Sequence, residues 1–314
     1  MAERRLVWLA VGLIVAVLVF MTWGARGNWG FVFTFRGTKL LALLVVGAAI
    51  AVSTVLFQTI TANRILTPSI MGFDALFLLF QAGLVFVLGG FGVTQLSSGL
   101  RFAMEFALLM GAALLLFGTL IGAARHDIHR LVLTGIIFGV LFRSLTSFIE
   151  RLIDPNEFAV VQSSSFASFN SFDADLLRYC VPLCVLGISA AWHYRRELDV
   201  IALGRDHAVN LGLNHKRAVL IILIIIALLV SVSTALAGPV TFFGLLVASL
   251  AHLVVRSHRH ATLLPAASLC AGIVLVGGQA ITERVLSLSV PLSVAVEFLG
   301  GLVFLTLILR GTQR

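Results

Sequence analysis

The chain has 314 residues, 60% of them apolar and only 11% charged, with a mean hydropathy of +1.08. Soluble domains carry roughly 25% charged residues, so an ordinary water-soluble enzyme and a nucleic-acid-binding module are both excluded. The net charge of +8 reads instead as the basic loop ends of a membrane protein, because Lys and Arg collect in cytoplasmic loops and set orientation.

At ~20 apolar residues per membrane-spanning helix, the chain has room for about ten spans. The first apolar run, Leu6 to Trp23, follows Met-Ala-Glu-Arg-Arg. It is long for a signal peptide and no small-residue cleavage pattern follows it, so it is read as a retained helix. Nine further runs follow: Leu40–Ile60, Ile70–Leu88, Phe102–Ala123, Leu131–Ile149, Tyr179–His193, Val219–Ala237, Val240–Val255, Leu263–Ile281 and Leu292–Leu309. Gly238-Pro239 separates two of them. Without a break there, one helix of about forty residues would overshoot the bilayer, and Pro removes a donor and disfavours helix just before it.

Ten spans place both termini on one side. With that side cytoplasmic, inner loops hold 14 of the 22 Lys and Arg, outer loops seven, and Arg143 lies within a span. The two-to-one bias supports the count and the orientation together. Two loops are long. The outer one, about 150–178, carries five carboxylates and a Ser/Phe-rich tract; the inner one, 194–216, mixes both charge signs with short apolar spacings. No linker marks off a soluble domain, so residues 1–314 read as one polytopic transmembrane unit. Cys180, Cys184 and Cys270 all sit in apolar stretches and are read as packing residues.

No phosphate loop GxxxxGK[ST] and no HExxH occurs. His126 and His129, and His258 and His260, stand beside arginines with only Asp127 near, so they read as basic loop residues at lipid headgroups rather than as metal ligands. Four ionisable residues fall within spans or near their ends: Asp74, Glu105, Arg143 and Glu297. Such residues are costly in hydrocarbon and face a bundle interior or a wet cavity. Asp74, in the first turns of a helix, is read as a structural anion at the positive dipole end. Glu105, four after Arg101, is read as a local ion pair. Arg143 shares a helix face with Gly135, Gly139 and Ser147, where small residues allow close approach. Two readings of it stay open: a buried pair with Glu297, and an anion-attracting group in a passage.

Three stretches carry a family likeness. The first runs from Gly47-Ala48-Ala49 through Gln58 to Asn63-Arg64-Ile65-Leu66-Thr67-Pro68-Ser69-Ile70-Met71-Gly72. The second is Leu203-Gly204-Arg205-Asp206-His207-Ala208-Val209-Asn210-Leu211-Gly212-Leu213, and the third is Ala237-Gly238-Pro239-Val240-Thr241-Phe242-Phe243-Gly244-Leu245. In this order, and with ten spans, the chain resembles the permease subunits of the iron-siderophore and vitamin B12 class of ATP-binding-cassette importers, from about Arg36 to Arg310. The resemblance implies an all-α membrane protein of the type II importer permease kind in the bacterial cytoplasmic (inner) membrane. It also implies a second permease subunit, two cytoplasmic ATPases and an external substrate-binding protein as partners. ATP and Mg belong to the ATPases, so this chain is expected to bind no cofactor or metal and to be no enzyme.

The resemblance also assigns roles. Leu203, Gly204, Asp206, Ala208, Leu211 and Gly212, within a coupling segment at about 199–218, dock on the ATPase; two short helices there offer apolar knobs to a partner's groove. Arg36, in the turn before the second span, and Arg284 receive acidic knobs of the binding protein, with Phe33 in place of a companion arginine and Lys39 as a substitute for it. The fifth span, the helix after it and the tenth span line the passage, which places Phe142, Arg143, Ser147, Phe166, Phe169 and Glu297 along it. Arg64, Ala248-Ser249, Gly301-Leu302 and Glu297 depart from the cobalamin-type pattern. They point to the siderophore branch, with a heterodimer preferred over a homodimer.

The expectation is therefore a permease that passes a ferric siderophore, such as an anionic catecholate complex, inward through a lipid membrane, with no nucleic acid involved. A rival reading is a proton- or sodium-driven carrier with Asp74, Glu105 and Glu297 as relay groups. A second rival is a membrane scaffold or intramembrane enzyme.

Overall fold

A computed structural model describes residues 2–24, 29–122, 128–164, 166, 167, 169, 173–285 and 291–311. These form thirteen α-helices: α1 Ala2–Thr22, α2 Trp29–Ile60, α3 Phe73–Gln95, α4 Ser98–Gly122, α5 Ile128–Glu150, α6 Pro155–Ser164, α7 Ala174–His193, α8 Arg195–Ile201, α9 Arg205–Asn210, α10 His215–Ala237, α11 Phe243–Val255, α12 His260–Arg284 and α13 Leu292–Gly311. A single 3-10 turn, Pro68–Met71, leads into α3. Eight helices are long and apolar enough to cross a membrane, and Phe243–Val255 and Leu292–Thr306 are shorter apolar helices. Each of the ten apolar runs in the sequence overlaps one of these helices, of which eight have the length of a span.

The helix ends follow local chemistry. Asp173 caps α7 by accepting from Asp175 N, and Asn214 caps α10 by accepting from Arg217 N. Pro155 stands at the first position of α6, where a missing N–H costs nothing, and Asp154 Oδ1 accepts from Asn156 N at 2.8 Å. Gly238, at φ +94°, ends α10 directly before Pro239, which is the break the sequence required.

α2, α10 and α12 form the middle of the bundle, with α7, α11 and α1 packed around them and α3, α4 and α5 grouped to one side. In lipid the tails are as apolar as the side chains, so helices associate by close packing rather than by water exclusion. The α2–α12 contact shows how: a Cβ on Gly47 would lie 3.3 Å from the Ala271 Cβ, so small residues bring the two backbones together. Ser53 and Thr54 sit fully within this core. The three cysteines are buried and unbridged, as packing residues should be.

The structure differs from expectation at the second run. Helix α2 begins at Trp29, eleven residues before the apolar run does, and it takes up Arg36 and Lys39. Both read as loop residues because they are charged. Within the fold each has a partner that lets it sit inside a helix, described below.

Candidate functional site

Two unwound stretches, 67–72 and 238–242, meet beside Ser53 and Thr54 of α2. Those two residues precede the end of α2 by about two turns, roughly 10 Å, so the meeting point lies within the thickness of the bundle. Irregular backbone at that depth is tolerated only where protein or a wet cavity surrounds it. Here side chains satisfy it. Thr241 donates its hydroxyl to Asp74 Oδ2 at 3.0 Å and its backbone N–H to Glu297 Oε1 at 3.4 Å. One threonine thus joins the starts of α3 and α13 to the turn after α10. Asp74, second residue of α3, is in the first helical turn as expected, where the dipole favours a negative charge.

Arg143 of α5 lies within electrostatic reach of Asp74, as does Glu297. Of the two readings of Arg143, the buried pair with Glu297 is not formed: Glu297 accepts from Thr241, and Arg143 is exposed. Its guanidinium folds back along its own helix, 3.6 Å from where a Cβ on Gly139 would stand. The small-residue face of α5 meets a turn rather than a helix. A Cβ on Gly72 would lie 2.9 Å from the Gly139 Cα, and one on Gly135 would lie 3.0 Å from the Met71 Cα. Gly72 also has φ +91°, which a side chain rarely adopts. Ser147, one turn beyond Arg143, is exposed.

The other predicted passage residues divide. Phe142 lines an apolar cavity of about 250 Å³ between α3, α4 and α5, together with Met71, Phe73 and Phe138. Phe166 is exposed, while Phe169 is buried in the core. Residues 166 and 167 lie on the Gly238 turn, where a Cβ on Gly238 would stand 3.2 Å from the Ala167 Cα. The segment after α6 therefore closes over the turn that carries Thr241. Ser165, Ser168, Asn170, Ser171 and Phe172 of the same tract lie outside the described residues.

At one end of the bundle α8 and α9 make the two short helices expected between 194 and 216. Leu198 and Ile201 root α8 in the core, and Ala208 is the buried residue of α9. Leu203, Val209 and Leu211 are more than half exposed. Gly204 at φ +98° and Gly212 at φ +83° end the turns that display them, and Asp206 is exposed beside them. Large apolar side chains presented in a cluster outside the apolar spans call for a covering partner.

At the opposite end Arg36 and Arg284 converge on the end of α1. Arg36 Nη1 donates to the carbonyls of Phe20 and Met21 at 2.9 Å and of Trp23 at 3.2 Å. It is a cap for the negative end of α1, set in the helix of α2 and not in a turn before it. Arg284 is exposed, with Nη1 2.7 Å from where a Cβ on Gly24 would lie. Lys39 does not stand in for the missing arginine: it is buried and bonded to Glu283 at 2.5 Å, with Gln279 also donating to Glu283. Arg26 and residues 286–290 lie outside the described residues.

Glu105 accepts from Arg101 at 2.9 Å and from Gln81 at 2.6 Å, so the local ion pair read from the sequence is present. Asp74 Oδ2 and Glu297 Oε1 are each held by Thr241, while Asp74 Oδ1 is buried without a hydrogen-bond partner among the described residues. No group of three His, Cys, Asp or Glu suited to a metal occurs among the described residues. Arg125, His126 and Asp127 lie outside them. His260 is not at a headgroup position as expected. It is buried, with Asp199 and Thr59 at its ring nitrogens. Thr241, Asp199 and Glu283 are the site residues that sequence reading passed over, since each is defined by a partner more than fifty residues away.

The model of the FecCD transport family matches residues 6–310. The petrobactin import system permease protein YclO of Bacillus subtilis is 41% identical over 310 residues, covering 99% of this chain and 98% of that protein. The petrobactin import system permease protein FatC of Bacillus anthracis is 30% identical over 275 residues, covering 88% and 78%. A solved structure of a metal-chelate type ABC transporter in an inward-facing conformation has the same fold, with a TM-score of 0.81 at 21% identity, covering 98% of this chain and 99% of that one.

Proposed function

The chain belongs to the FecCD transport family, and from that membership we propose that it is the permease subunit of an ATP-driven importer carrying a ferric siderophore inward across the cytoplasmic membrane. It is a multi-pass membrane permease of the ABC importer kind. The observation that carries the ATP-driven reading is the exposed Leu203 between α8 and α9, Val209 on α9 and Leu211 just after it, an apolar surface rooted in the bundle and suited to an ATPase groove. Both termini and this segment face the cytoplasm, where the basic residues collect.

ATP and Mg belong to two separate ATPase chains, and this chain hydrolyses nothing. A second permease, different from this one, completes the passage. Its wall includes the exposed faces of α5 and α13, where Arg143 offers a positive charge to an anionic chelate and offsets part of its desolvation. The relatives named for petrobactin make that siderophore the first candidate, and a catecholate chelate suits both the charge of Arg143 and the exposed Phe166. Arg284, exposed at the outer rim, meets an acidic side chain of a binding protein, while Arg36 holds the platform beneath it.

The test is to purify the chain with its partner permease, ATPase and binding protein, and to follow ATP hydrolysis as each ferric chelate is added. The proposal expects one chelate-loaded binding protein to stimulate hydrolysis, and the chain alone to show none. A chain that binds no ATPase, or hydrolysis indifferent to every chelate-loaded binding protein, would overturn it.

A further inference from the structure

We infer that Asp199 and His260 form the strut through which the α8–α9 segment moves the membrane helices, so that their pairing serves coupling rather than assembly; this rests on the importer reading above. The N-terminus of α12 has no cap of its own, because Arg259 at the capping position offers no acceptor. Asp199 of α8 supplies one from 61 residues away. Its Oδ1 accepts the His260 backbone N–H at 2.8 Å and the His260 Nδ1–H at 2.7 Å. A carboxylate there satisfies an orphan helix donor and meets the positive end of the dipole. The remaining ring nitrogen, Nε2, lies 2.8 Å from Thr59 Oγ1 near the end of α2. His260 is 2% exposed, while Asp199 and Thr59 are half-buried around it.

The arrangement has the form of a joint. Leu198 and Ile201 already seat α8 in the core, so the polar contacts are not what holds α8 in place. They fix its position against two helices of the bundle centre. Of these, α12 is 25 residues long, about 37 Å at 1.5 Å per residue. At its far end Glu283 binds Lys39 of α2 and Arg284 lies against the end of α1. One continuous helix, with Pro265 in its second turn, therefore connects the segment that faces the ATPase to the rim that faces the binding protein. A displacement of α8 reaches that rim through Asp199 and His260.

The experiment uses the full complex of both permeases, ATPase and binding protein in lipid vesicles. Basal hydrolysis is measured first. Hydrolysis is then measured with binding protein loaded with whichever of a ferric catecholate, a ferric hydroxamate or ferric citrate stimulates the wild type most. Asp199→Ala is expected to assemble and to keep basal hydrolysis, while stimulation falls about fivefold or more, the range of a coupling free energy lost between sites. Asp199→Asn keeps an acceptor for both donors and is expected to retain most of the stimulation. Wild-type stimulation in Asp199→Ala would overturn the strut alone, as would basal and stimulated rates falling in equal proportion. Should Asp199→Ala not assemble, His260→Phe decides: it keeps a ring but removes both ring nitrogens from Asp199 and Thr59, and full stimulation in it would overturn the strut. A wild-type complex that no loaded binding protein stimulates would overturn the importer reading, and the strut with it.

Discussion

The hydroxyl of Thr241 donates to Asp74 Oδ2 at 3.0 Å, a contact between residues 167 positions apart that joins the unwound stretch after α10 to the start of α3. Replacing Thr241 by Val keeps the shape and removes the donor, leaving a carboxylate in the bundle without that bond. A buried acceptor stripped of its partner costs about 1–3 kcal/mol. Thr241→Val is therefore expected to unfold at lower temperature in detergent, with Thr241→Ser close to wild type. Equal melting of the two variants would contradict this role.

Arg143 stands on the exposed face of α5 and is bonded neither to Glu297 nor to Asp74. Arg143→Ala is expected to lower chelate uptake at limiting ligand while the complex assembles normally. Arg143→Lys keeps the charge and is expected to recover part of the rate. Unchanged uptake in the alanine variant would remove this residue from the passage.

Gly72 and Gly139 touch backbone to backbone. Any side chain at Gly72 meets the Gly139 Cα at 2.9 Å and also takes up φ +91°. Backbone in that region with a side chain costs on the order of 1–3 kcal/mol before the clash is counted. Gly72→Ala should sharply reduce the yield of monodisperse protein. Gly83→Ala, within the following helix α3 and with open space around it, should not. Size-exclusion profiles of the two variants decide the point.

Arg36 and Arg284 separate by a simple comparison. Arg36→Ala strips three carbonyls at the end of α1 of their donor and is expected to lower thermal stability by about 1.5–3 kcal/mol, the range for bonds to a charged group. Arg284→Ala is expected to leave stability nearly unchanged and to weaken binding-protein association, more so at low salt. A stability loss confined to Arg284→Ala would reverse the assignment.

The apolar helices were legible because a span needs a fixed length of apolar sequence; eight meet that length, and Gly238-Pro239 marked where one run of about forty residues had to break. The start of α2 was not legible. Arg36 and Lys39 read as loop residues, and only the carbonyls at the end of α1 and the carboxylate of Glu283 make a helix tolerable there. The same limit applies to the polar contacts. Glu105 was read correctly because its partner, Arg101, is one turn away. Glu297 was offered Arg143 and instead took the amide of Thr241, and His260 was placed at the lipid surface although Asp199 draws it inside. A partner four residues off is set by helix geometry; one more than fifty residues off is set by the packing of the whole bundle.

The account turns on ATP as the source of energy for inward movement. The most direct measurement loads proteoliposomes of the complete complex with the binding protein inside, supplies ATP and Mg outside, and follows efflux of a radioactive ferric chelate from the lumen. Loss of chelate is expected to depend on ATP and to be indifferent to a proton gradient. Movement that follows an imposed proton gradient without nucleotide would contradict it.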